Sequence, residues 1–312
     1  MKICLILEGC YPYVFGGVST WMHQYINNMK EHEFILWVIG ANAKDRGKFV
    51  YELPQNVTTV HEVFLDDALH VKASGKMRHR FSKEETDSLR ELMICGRPDW
   101  EVLFSLYQEK RLNPMSFLQS EEFLDILTKS CLTHYPYIAF ADAFHTMRSM
   151  LLPVLYLLGT EVPKADVYHA ICTGYGGMLA CLGGWMYQKK VLLTEHGIYT
   201  REREEEIIRA KWVVPSFKKQ WISFFYMLSD IRNRLFLRNL ILNIRCHIHH
   251  HFDTFGRNIG TGIHHKYEAE QHNRKHGMKK IFHKRHQLSH LQRTLIDHLA
   301  CNKIDGNCRN IH

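Results

Sequence analysis

The chain opens on Ile3-Cys4-Leu5-Ile6-Leu7, an unbroken apolar run between Lys2 and Glu8. That is the pattern of a strand buried on both faces of a parallel sheet. Trp21, Met22, Tyr25, Ile26 and Met29 then recur at helical spacing, with Ser19 expected as the N-cap. A second strand is predicted over residues 34–40. A third is predicted at 57–60 or 61–65, after the turn signal Pro54-Gln55-Asn56. From about residue 82 to 158 the period becomes helical, through Phe123, Leu124, Ile126 and Leu127 and then Phe144, Met147, Leu151 and Leu155. This stretch reads as a helical insertion, with Pro153 expected to kink or restart its last helix. Parallel-sheet patterning then returns: a strand end at 165–170, a glycine turn at 172–177, a small-residue helix at 178–185 and a strand at 190–194. The fold class that follows is α/β, a Rossmann-like parallel sheet carrying a helical insertion.

In such sheets ligands sit beyond the carboxyl ends of the strands. Three loops there have an unusual composition. The first carries Tyr11, Tyr13, Gly16 and Gly17; the glycines either let the backbone approach an anion at a helix N-terminus or make a tight turn without a ligand. Tyr11 and Tyr13 either stack on a sugar or close the loop. The second loop runs from His169 through Tyr175 to Gly177, and the third holds Glu195, His196 and Arg201. His196, between a buried strand and Gly197, either meets a substrate or caps the following helix. His169 reads as a packed residue ahead of a base, and residues 202–206 as the acidic first turn of a helix.

Composition narrows the class. Hydrophobic residues make up 46% of the 312 and charged residues 23%, which excludes a disordered or fibrous chain. The longest apolar runs fall short of the roughly 18 residues that read as a membrane span. The opening strand is too short for a signal-peptide core. With nine cysteines in no framework spacing, reduced thiols and a cytoplasmic location are expected.

The net charge of +8 is unevenly spread. Residues 231–312 hold 15 Lys+Arg against 5 Asp+Glu and 13 of the 22 histidines, while the rest of the chain holds 25 basic and 27 acidic residues. The charge therefore says nothing about partners of the whole chain. Within residues 230–312, Cys246-His247 with His249-His250-His251, and His264-His265, follow no strand or helix period. Their spacings fit no structural zinc pattern, and the segment lacks the basic–aromatic interleaving of a nucleic-acid arm. No fold is recognisable there. The favoured reading is a frameshifted translation, because evolved sequences are locally consistent and this segment is not.

Several blocks carry a family resemblance. Glu8-Gly9-Cys10-Tyr11-Pro12-Tyr13-Val14, then Gly16-Gly17-Val18-Ser19 and Trp21, resemble the start of family 4 retaining glycosyltransferases of the Pel exopolysaccharide type. Asp166-Val167-Tyr168-His169-Ala170 with its glycine turn resembles the same group, as does Thr194-Glu195-His196-Gly197-Ile198-Tyr199-Thr200-Arg201-Glu202-Arg203-Glu204. So does the stretch from Trp212 to Ser229, and the likeness spans residues 1–229.

The resemblance implies a GT-B N-terminal domain on the acceptor side, in an enzyme with two Rossmann-like domains. It implies metal-independent, cofactor-free hexosyl transfer from a nucleotide sugar, UDP-glucose, to a glycan acceptor. It also implies a membrane-associated polysaccharide synthesis complex as partner, and no nucleic acid. Gly16 and Gly17, with Tyr13 in the same loop, match the donor-phosphate loop, and His196 matches the histidine beside the transferred sugar. His169, Tyr175, Glu195 and Arg201 become acceptor-side candidates. The family's nucleotide-binding Arg/Lys pair and Glu-x7-Glu motif are not visible, so the donor domain is expected to be absent or frameshifted and the chain weakly active or inactive. The alternatives are a non-catalytic α/β module that binds a glycan or a partner, and a small α/β enzyme using His196 with Glu195.

Overall fold

The computed structural model of the protein describes residues 1–73, 79–235 and 243–245. In chain order its first elements are β1 (Lys2–Glu8), α1 (Gly17–Asn28), β2 (Glu33–Gly40) and β3 (Val57–Phe64). The helices α2 (Lys83–Met93), α3 (Trp100–Gln108), α4 (Pro114–Leu118), α5 (Glu121–His134) and α6 (Phe140–Leu158) follow. Then come β4 (Val167–Ala170), α7 (Tyr175–Tyr187), β5 (Lys190–Glu195), α8 (Tyr199–Arg209), α9 (Lys218–Leu235) and β6 (Asn243–Arg245). Two compact units result. Among the described residues, one comprises Met1–Val63, Val162–Glu202 and the residues from Leu228 to Leu235 and 243–245; the other comprises Phe64–Glu161 with Arg203–Met227.

The first unit is built on a sheet of order β3-β2-β1-β4-β5-β6. The five strands β2, β1, β4, β5 and β6 run parallel, and β3 flanks β2. Successive strands step outward one way from β1 to β3 and the other way from β4 to β6, the topology of a Rossmann-like sheet. Burial explains why the apolar runs become central strands: Ile3 through Leu7 and Phe34 through Ile39 are all buried. Helix α7 packs on β4, β1 and β5. The carbonyls at the end of α1 are taken up by Asn56, whose Nδ2 donates to Ile26 O at 3.0 Å and Met29 O at 3.2 Å. The N-cap of α1 is Gly16, without a side-chain hydrogen bond, and Ser19 is a buried residue of the first turn. The expected Ser19 cap is thus corrected: the helix starts within the glycine pair, at Gly17.

The second unit is helical, and the starts of α2 to α5 follow capping chemistry, whereas α6 starts after Ala139 without a side-chain cap. Ser82 and Glu85 form a capping box on α2, Asp99 caps α3, Asn113 caps α4 ahead of Pro114, and Ser120 caps α5. Pro153 lies inside α6, which continues to Leu158 without restarting. Trp221, Phe224, Phe225, Leu228 and Ile231 keep α9 on a buried helical period, so the helix runs past Ser229 to Leu235. Beyond it, β6 pairs parallel with β5. Residues 236–242 and 246–312, where the frameshift reading and the histidine clusters fall, lie outside the described residues. Among the described residues no helix is long and apolar enough to cross a membrane.

Candidate functional site

Because β1, β4 and β5 are neighbours and parallel, Glu8, Ala170 and Glu195 end on the same edge of the sheet. The three loops singled out above leave from these ends. The order reverses between β1 and β4, the place where open α/β sheets form a crevice.

The loop after β1 turns at Gly9, in the left-handed region at φ 65°. Tyr11 and Tyr13 are both buried. The Tyr11 hydroxyl and His23 Nδ1 lie 3.2 Å apart. Burial, then the nearby Tyr51, pushes the Tyr11 phenol up to about 12. The Tyr13 hydroxyl donates to Glu62 Oε1, which also accepts the Gly47 amide at 2.8 Å. Both tyrosines therefore close the loop rather than present a ring. Gly16 and Gly17 lie at the start of α1, and a Cβ added at Gly17 would meet no atom within 4 Å. The first amides of α1 thus have open space beside them and no side-chain cap.

Trp21, one turn into α1 from Gly17, stacks on Tyr25 with ring centroids 5.3 Å apart. Its other neighbour is His196, at 4.5 Å and nearly perpendicular. Both His196 ring nitrogens are buried and have no hydrogen-bond partner among the described residues. Burial lowers the His196 pKa, so the ring is neutral at pH 7 and holds one donor and one acceptor. His169 lies deeper, within β4, its Nε2 2.8 Å from Thr194 Oγ1 and its ring edge-on to Tyr25 at 5.7 Å. Burial, then the neighbouring His196, lowers its pKa to about 4. His169 is a packed residue that backs the site.

Glu8, at the end of β1, is a functional candidate that sequence reasoning passed over. Its Oε1 accepts from the Tyr199 hydroxyl at 3.4 Å, and its Oε2 accepts from the Cys172 thiol at 3.7 Å. Gly174, at φ 72°, makes room for this: a Cβ there would overlap the Tyr199 ring. Its position was the available signal, an acid closing a strand that is otherwise wholly apolar. Trp21 also went unassigned; only its helical phase with Tyr25 hinted at a shared face.

The remaining candidates divide. Glu195 ends β5 and is half-buried, Arg201 is exposed in the first turn of α8, and Tyr175 is a buried first residue of α7. Glu202 belongs to the first turn of α8, as its charge suggests. The edge therefore gathers Gly16, Gly17, His169, Glu195 and His196, whereas Tyr13 is committed to Glu62. Among the described residues, no group of three or more His, Cys, Asp or Glu side chains could hold a metal ion.

The sequence profile of one family, described as a domain of unknown function (DUF3492), matches residues 1–233. No curated protein and no solved structure matches the chain.

Proposed function

We propose that this chain, which belongs to the DUF3492 family, serves glycosyl transfer from a nucleotide sugar, with the sheet unit as its substrate-binding half and His196 beside the transferred sugar. The observation that carries the reading is the His196 imidazole, with two buried nitrogens and no partner among the described residues at the carboxyl edge of a parallel sheet. A buried polar atom left unpaired costs about 1–3 kcal/mol, so such a ring is built to meet a ligand. Kept neutral by burial, it offers a sugar one donor and one acceptor, the pairing that a hydroxyl satisfies. The neighbouring Trp21 ring supplies an apolar wall of the kind that packs against sugar C–H faces. Open amides at the start of α1 suit a phosphate group, and helix dipoles of this kind stabilise the charge that develops on a leaving diphosphate.

The finer identity rests on the resemblance of the Glu8–Trp21, Asp166–Ala170 and Thr194–Glu204 blocks. It favours retaining, metal-independent transfer from UDP-glucose in exopolysaccharide synthesis, on the cytoplasmic side of a membrane-associated complex. The test is UDP release from UDP-glucose in the presence of glucan oligosaccharides, by the 312-residue chain and by His196→Ala. Without a recognisable donor domain the 312-residue chain should turn over only weakly, and that turnover should fall at least about 100-fold in the variant, the contribution usual for a positioned side chain at the reacting centre. Unchanged turnover in the variant would remove His196 from the reaction. Saturable glucan binding without UDP release would make the chain a non-catalytic glycan-binding module, and neither binding nor release would overturn the glycosyl reading.

A further inference from the structure

The helical unit contains a cavity of about 330 Å³ that owes nothing to the sheet edge. It opens beside the N-terminal half of α9, which supplies Lys219 and Ser223, with Ser216 in the turn just before that helix, and the end of α5 adds His134. Its polar groups fall into two sets. Tyr135, Gln220 and Ser130 are already committed: the Tyr135 hydroxyl donates to Gln220 Oε1 at 2.6 Å, Gln220 Nε2 donates to Met93 O at 3.0 Å, and the Ser130 hydroxyl donates to Ile126 O at 2.8 Å. These fix one wall. The Lys219 ammonium, the Ser216 and Ser223 hydroxyls and the His134 imidazole form no hydrogen bond or ion pair with any described residue. All four can donate, and no carboxylate lines the cavity. Apolar edges come from Met147 and Ile94.

We infer that this cavity binds a phosphate monoester of a small metabolite, with Lys219 as its charged anchor and Ser216 and Ser223 as its hydroxyl donors. A phosphate monoester brings close to two negative charges and three acceptor oxygens, which match one ammonium and several neutral donors. A cavity of about 330 Å³ exceeds what a bare phosphate ion needs and lies at the small end of metabolite sites, roughly 300–1,000 Å³. The space beyond the anion is bounded by the fixed Tyr135–Gln220 wall and by Met147, a mixed lining suited to a polyhydroxylated body.

The test is calorimetric titration of the full 312-residue chain with glucose 6-phosphate, glucose and inorganic phosphate. Glucose 6-phosphate should bind saturably below about 1 mM, in the usual range for metabolites. It should bind at least tenfold tighter than either glucose or inorganic phosphate, and should weaken as salt is raised. Lys219→Ala, an exposed substitution that leaves the core intact, should weaken binding at least tenfold. Ser223→Ala should weaken it less, and Lys211→Ala, exposed and outside the cavity, should leave it unchanged. Absence of saturable binding, or binding that survives Lys219→Ala, overturns the site. Equal affinity for glucose overturns the anion anchor, and equal affinity for inorganic phosphate overturns the monoester assignment.

Discussion

At the scale of single residues the site edge is governed by desolvation. An exposed histidine titrates near 6.5, whereas burial and the neighbouring His196 bring His169 to about 4. Between those values the unfolded chain binds a proton that the folded chain refuses. Stability therefore rises with pH across this window; the His169 contribution is complete above about pH 6.5 and is lost progressively toward pH 4. At 1.36 kcal/mol per unit the whole effect is on the order of 3 kcal/mol. In urea unfolding from pH 7.5 to 4.5, the stability gap between the wild type and His169→Asn should shrink as the pH falls. Parallel curves for the two proteins would show that His169 titrates alike in the folded and the unfolded chain. The sequence placed His169 and His196 at strand ends, but it could not supply this value. The shift comes from burial first and from His196 second, and both depend on strands β1, β4 and β5 being neighbours in the sheet.

At the scale of elements, helix α7 shows packing overruling propensity. Glycine inside a helix is less favourable than alanine by about 1 kcal/mol, so propensity alone would favour replacing any of its glycines. The surroundings decide otherwise. A Cβ at Gly183 would overlap the Tyr168 ring, which is anchored by its hydroxyl to Pro163 O at 2.6 Å. A Cβ at Gly177 would instead make ordinary contacts, 3.6 Å from Cys172 O and 4.0 Å from Thr173 Cβ. Gly183→Ala is expected to destabilise by about 1–3 kcal/mol through overpacking. Gly177→Ala is expected to be neutral or to stabilise by up to about 1 kcal/mol. The denaturant midpoint should fall in Gly183→Ala and stay or rise in Gly177→Ala; a common loss would mean that α7 is held equally tightly along its length. The glycine-rich composition of this helix was visible in the sequence. Which glycines are indispensable was not, because Tyr168 reaches Gly183 and Val191 reaches Gly184 from other elements.

At the scale of the whole molecule, two compositions share one chain. Residues 1–230 carry 25 Lys+Arg and 27 Asp+Glu, a net of −2, against +8 for the intact chain. A fragment of residues 1–230 should therefore focus at acidic pH and the full chain at basic pH. Isoelectric focusing in urea reads this without requiring the fragment to fold, and similar focusing points would contradict the partition. The division into compact units follows a different boundary. The segment read as an insertion at residues 82–158 falls in a unit with Arg203–Met227, and the chain passes between the units within α8 and again within α9. No composition change marks those passages, since an amphipathic helix keeps its period whichever core its apolar face enters.

What the sequence determined by itself is whatever depends on a residue and its near neighbours. The apolar runs of β1 and β2 specify strands buried on both faces, and Ser82, Asp99, Asn113 and Ser120 specify helix starts. The glycine-bearing turns after β1 and β4 mark the carboxyl edge of the sheet. Tertiary structure alone decided the contacts that give that edge its chemistry. Glu8 meets Tyr199 across 191 residues and Cys172 across 164, and Trp21 meets His196 only because β1 and β5 flank β4. Periodicity records which face of an element is apolar. It does not record which other element will cover that face, and the partners of Glu8 and His196 are set by strand order.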